Sequence, residues 1–96
     1  MEIYQDRLIA YSLGNFATYG RFNLSGHLGT GLILEATLDS DGAFVSGQIL
    51  STRQEGEGVP VKDPENTAAD LIRELSNEDF PDTGVLVAAD GTIGRR

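Results

Sequence analysis

The chain has 96 residues, 7 Lys+Arg against 15 Asp+Glu, a formal net charge of −8, and no cysteine. That length allows one small domain with a limited core. The charge opposes phosphate backbones and anionic lipid headgroups, so no nucleic-acid partner is expected, and the missing thiols exclude disulfides, thiolate metal sites and cysteine nucleophiles.

A hydrophobic content of 40% with 23% charged residues is a globular composition. No apolar run approaches a membrane span, and Met1–Gln5 lacks the basic-then-apolar pattern of a signal peptide. In chain order, Ile3-Tyr4 leads to a tight turn at Gln5-Asp6 and then to a strand over Arg7–Leu13. On that strand Leu8, Ala10 and Ser12 share one face and Ile9, Tyr11 and Leu13 the other. Both faces are largely apolar, which predicts cover on both sides. Gly14 ends the run and opens a glycine-rich loop, 14–31, with Phe16, Tyr19 and Phe22 between its glycines. The aromatics either pin this loop to the body or leave it facing a substrate.

Leu32–Leu38 alternates, with Leu32, Leu34, Ala36 and Leu38 inward and Glu35, Thr37 and Asp39 outward. Asp39-Ser40-Asp41-Gly42 is a turn signal and Phe44–Thr52 its returning strand. Gln54–Val61 reads as a polar connector. A helix is predicted over 63–77, capped by Asp63, with Pro64 in its first position. Ala68, Leu71, Ile72 and Leu75 form its apolar stripe, while Asp70, Arg73 and Glu74 point away. Val85–Val87 is strand-like, Ala89-Asp90-Gly91 a turn, and Thr92-Ile93 a short return. The fold class is α+β: a small antiparallel sheet built from hairpins with one packed helix, in a single domain over 1–96.

Complete catalytic sets are missing. His27 is the only histidine, too few for a histidine-rich metal centre. It is either an ordinary loop histidine or a contact for an anionic substrate. Asp39-Ser40-Asp41-Gly42 lacks the closing glutamate of a calcium loop, since the twelfth position is Leu50, and both its flanks are strands. Gly26-His27-Leu28-Gly29-Thr30-Gly31 precedes a strand and has the wrong spacing for a dinucleotide fingerprint. Its amides, with Arg21, could still hold an oxyanion. Neither Ser12 nor Ser25 sits in a nucleophile elbow.

At Tyr11-Ser12-Leu13-Gly14-Asn15-Phe16, preceded by Glu2–Ala10, the sequence resembles the bacterial capsule-synthesis family of CapA type, linked to poly-γ-glutamate production. The match is good over the first half and loose over the helix and tail. The resemblance implies a calcineurin-like metallophosphoesterase fold, two sheets between helices, with a two-metal site that includes a Gly-His-x-Pro-His motif shortly before this hexapeptide. Met1 falls after that position. By this resemblance the chain is the C-terminal part of a larger α/β sandwich. It carries no cofactor of its own, although the parent family uses divalent metal, and its partner is the rest of the parent domain. Ser12 and Asn15 transfer as signature residues, at the rim of the parent's site or as fixers of the turn.

Three readings follow. The first is a structural and substrate-positioning subdomain that is not catalytic alone. The second is a stand-alone module that grips an anionic or sugar-like ligand with the 14–31 loop through Arg21, His27 and backbone amides, with Ser12 and Asn15 as further candidate contacts. The third is an interaction piece that forms a homodimer through an exposed sheet edge.

Overall fold

The hairpin read from the alternation at Leu32–Leu38 is the frame of the molecule. In a computed structural model describing residues 1–17, 29–56 and 58–96, the elements are β1 (Glu2–Tyr4), β2 (Arg7–Ile9), β3 (Thr30–Leu38), β4 (Phe44–Glu55), β5 (Val59–Lys62), α1 (Thr67–Asp79), β6 (Leu86–Val87) and β7 (Thr92–Gly94). One helix on antiparallel strands is the α+β class expected. β4 is central. It pairs with β3 along one side, and on the other with β7 at Gly47–Gln48 and then with β5 at Thr52–Glu55. β6 pairs with the far side of β7.

The β3–β4 turn is local chemistry. Asp39 Oδ1 accepts the amides of Asp41 and Ala43, each at 2.9 Å, and Gly42 adopts φ 84°. The carboxylate that invited a calcium reading is occupied by its own turn. Those amides hold its pKa below the ordinary aspartate range, against burial, which acts the other way. Gln5 and Asp6 both take positive φ in a two-residue turn between β1 and β2.

The core lies on one face of the sheet. Leu32 and Leu34 of β3 share that face with Ile49 and Ser51 of β4, and the cluster is completed by Met1, Phe44, Ala68, Ala69, Val85, Val87 and Ile93. Ala36 and Leu38, expected inward, are exposed. The cover is too short to reach them. A helix of 13 residues spans about 20 Å, against about 30 Å for nine extended residues.

The strand expected over Arg7–Leu13 stops at Ile9. Leu8, Ile9 and Ala10 are half-buried, whereas Tyr11 and Leu13 are exposed, so the two-sided cover ends with the strand. The connector expected at Gln54–Val61 holds all of β5 but its last residue. Its Pro60 lies opposite Gln54. The Asp63 N–H donates to the Ser51 carbonyl, which fixes the alternation and puts Pro60 at a non-hydrogen-bonded pair. The ladder therefore loses no donor there.

The helix is shifted to 67–79. Asn66 stands at the N-cap in a left-handed conformation, φ 55°, and its side chain does not cap. Asp63 caps from further back. Its Oδ2 accepts the Thr67 amide at 3.0 Å and its Oδ1 the Glu65 amide at 3.1 Å. Pro64 thus sits in the entry turn, outside the helix. The buried stripe is Ala68, Ala69 and Ser76 with Ile72 beside it, and Leu75 is exposed. Arg73, expected to point away, donates from Nε to Val87 O at 2.7 Å and from Nη2 to Ala88 O at 3.0 Å.

Candidate functional site

The hexapeptide at 11–16 wraps around the outer edge of β3. Tyr11 stacks on Phe80, with centroids 5.3 Å apart, and its hydroxyl donates to a carboxylate oxygen of Glu2. The Thr83 hydroxyl donates to the other Glu2 oxygen at 2.7 Å. These two donors, Tyr11 first, hold the Glu2 pKa down although burial opposes them. The same bond pushes the Tyr11 phenol up.

From Tyr11 the chain reaches β3. Leu13 O accepts the Leu32 amide at 3.0 Å, and Asn15 N donates to Thr30 O at 2.9 Å. Between these bonds Gly14 faces Gly31 in an antiparallel bridge. Both positions need glycine. Gly14 has φ 74°, and a Cβ there would stand 2.7 Å from Thr30 O. A Cβ on Gly31 would stand 2.8 Å from Asn15 O and 3.0 Å from Phe16 Cα. The missing side chains let the segment cross the sheet edge in van der Waals contact.

The crossing sends Leu13 and Phe16 to opposite faces. Leu13 lies in a small apolar groove, about 110 Å³, with Leu71, Ile72 and Leu75 of α1. Phe16 emerges on the other face of the sheet, where it lines a hollow of about 270 Å³ with Ile33, Leu50, Thr52, Pro60 and Lys62. Ile33 and Leu50 are cross-strand partners there, 47% and 40% exposed, and Phe16 is 40% exposed. Thr52 beside them is buried, and its hydroxyl has no partner among the described residues.

Ser12 and Asn15 act on the backbone. Ser12 Oγ accepts the Gly14 amide at 3.1 Å, fixing the turn that the glycine makes. Asn15 O accepts from Gln54 Nε2 at 2.8 Å, tying the crossing to β4. Arg21, His27, Tyr19 and Phe22 lie outside the described residues, so the structure brings together only the Ser12–Asn15 half of the expected ligand set. Sequence reasoning missed Thr52, Gln54 and Lys62. The signal for Lys62 was β5, which Pro60 disguised; β5 sets Lys62 opposite Thr52 of β4.

A larger hollow, about 400 Å³, lies between Gln48, Lys62, Asn66 and Asp90. Most of its polar groups serve the 89–91 turn. Gln48 Nε2 donates to Asp90 O at 2.6 Å, Asn66 Nδ2 to Ala89 O at 3.2 Å, and the Asp90 carboxylate accepts the Thr92 amide at 3.0 Å. Among the described residues no group of three or more His, Asp and Glu side chains is placed to hold a metal ion, and no helix is long and apolar enough to cross a membrane.

No protein-family model matches this chain, and neither a curated protein nor a solved structure does.

Proposed function

We propose that the chain is a packing and positioning subdomain of a larger CapA-like, metallophosphoesterase-type protein, and that it is not catalytic by itself. The observation that carries this reading is the open apolar face at Phe16, Ile33 and Leu50. Among the described residues, one side of the sheet is covered by α1 and the other carries no second layer. A contiguous apolar patch on a small, strongly anionic domain is where a second layer packs.

The hexapeptide adds the link to the family. Its serine and glycine build the crossing and its phenylalanine is the residue delivered to the open face. In this reading Ser12 and Asn15 shape the backbone, and the divalent metal of the parent belongs to another part of it.

Two measurements test the proposal. The genomic reading frame upstream of the Met1 codon should encode Gly-His-x-Pro-His shortly before it, and a frame without that motif overturns the family reading. The purified 96-residue chain should leave a chromogenic phosphate monoester intact in Mn²⁺. Turnover above the metal-only blank would show that it is an enzyme in its own right.

A further inference from the structure

The outer edge of β3 is half used. The Leu32 amide donates to Leu13 O, and Thr30 O accepts from Asn15. The even-numbered residues of β3 therefore turn their N–H and C=O groups outward, away from β4. Leu34, Ala36 and Leu38 continue that row. Among the described residues no strand pairs with this edge beyond Leu32, and at Asp39 the chain turns back, with Asp39 N donating to Ala43 O. Among the described residues this leaves a short ladder of unpaired backbone groups, bounded on one side by Leu13 and on the other by the hairpin turn.

The free stretch is symmetric about Ala36. We infer that β3 pairs with β3 of a second copy of this chain, antiparallel, about a two-fold axis through Ala36. That axis sets Ala36 opposite Ala36 as a hydrogen-bonded pair and Leu34 opposite Leu38 on either side. Both ladders end together, because the partner's turn arrives where Leu13 already occupies the edge.

The side chains fit the same register. Glu35 is the only ionisable residue in Leu34–Leu38, and the axis places it opposite Thr37 of the other copy. An axis through Glu35 would leave Leu34 opposite Ala36 as the hydrogen-bonded pair but set the two Glu35 carboxylates directly opposite each other, which disfavours it. On the core face the pairing sets Leu34 against Leu38, which is 53% exposed in the single chain. The stretch carries no proline or lysine, the residues that ordinarily guard an edge. Two copies at −8 each repel, so the dimer tightens as salt is added. This inference stands apart from the proposed function. It uses the edge of the sheet and leaves the Phe16–Ile33–Leu50 face open.

Sedimentation velocity of the full chain from micromolar to millimolar, at low and moderate salt, tests it. The expected result is a monomer–dimer equilibrium that shifts to dimer with concentration and salt. Ala36→Pro should give a monomer while keeping the far-ultraviolet circular dichroism, because the lost N–H points outward and serves no bond to β4. Thr37→Glu, which places a carboxylate opposite Glu35 twice, should weaken the dimer roughly tenfold, and Thr37→Lys should tighten it by a similar factor. A chain that stays monomeric at millimolar concentration overturns the proposal. So does a dimer indifferent to both Thr37 substitutions, since another surface would then be holding it.

Discussion

Asp63 is almost wholly buried, and burial alone would push its carboxyl up. The Thr67 hydroxyl and amide, the Glu65 amide and the Arg53 guanidinium outweigh that and leave its pKa below the ordinary range. A carboxyl depressed in the folded state stabilises the fold at pH above its unfolded value, about 4, and the contribution fades as pH falls through the folded value. Asp39, Asp90 and Glu2 are depressed as well, each held mainly by hydrogen-bond donors. Urea unfolding should therefore show stability holding near neutrality and falling below about pH 4. Asp63→Ala should cost about 1–2 kcal/mol near neutral pH, the usual worth of a cap, and progressively less in acid. A cost that does not change between neutral and acid solution would mean that the carboxylate charge plays no part. Gly31 tests the crossing. Gly31→Ala puts a methyl group 2.8 Å from Asn15 O and should cost about 1–3 kcal/mol, the range for overpacking. Its local signature is faster hydrogen exchange at the Asn15 and Leu32 amides, which bond to Thr30 O and Leu13 O. Protection as in the unsubstituted chain would mean the segment does not lie on Gly31.

Among the elements, what the sequence made legible was what local chemistry decides. Asp39 and Gly42 wrote the β3–β4 turn, and alternation wrote the two strands it joins. Ala89–Gly91 likewise marked the β6–β7 return. The misses came where a neighbouring element decides. Pro60 hides β5 because a proline is tolerated only at a pair that makes no hydrogen bond, a fact that depends on the register with β4. Arg7–Leu13 has strand composition throughout, yet the chain leaves β1 after Ile9 to reach β3, and no residue in the run announces it. The helix face was misread by part of a turn for the same reason. Two stripes are open to Thr67–Asp79, one ending at Leu75 and one at Ser76, and the docking partner chooses. Ser51 Oγ accepts the Ala69 amide at 3.1 Å and the Met1 ammonium donates to Ser76 Oγ at 3.0 Å, so the small residues turn inward. Ala69, fully buried against β4, has no room to grow. Ala69→Leu should destabilise by about 1–3 kcal/mol or more. Leu75→Ala should lose well under the ~2–5 kcal/mol of a buried leucine truncation. Thermal melts of the two variants decide which stripe faces the sheet; the reverse order of losses would restore the one ending at Leu75.

At the scale of the whole molecule, the open face could not be read from sequence at all. Ile33 and Leu50 lie in strands that alternate, so pattern alone assigns each to an outward position and stops there. Their adjacency comes from the β3–β4 register, and Phe16 joins them only because two glycines let the chain cross an edge. An outward apolar pair costs the isolated fold little to lose, since neither side chain is in the core. It matters to whatever covers the face. The double substitution Ile33→Thr with Leu50→Thr keeps β-branched or strand-compatible residues at both positions. Its unfolding free energy should stay within about 0.5 kcal/mol of the parent, as for surface changes generally. Binding of a hydrophobic-surface dye to the native chain should fall severalfold. Neither residue stands at the Ala36 axis, so a β3-paired dimer should survive the double substitution. A large loss of stability would place the pair in a core that the single chain already completes. That outcome would remove the reason for a second layer and, with it, the case for a packing subdomain, while the edge pairing of β3 would be judged on its own variants.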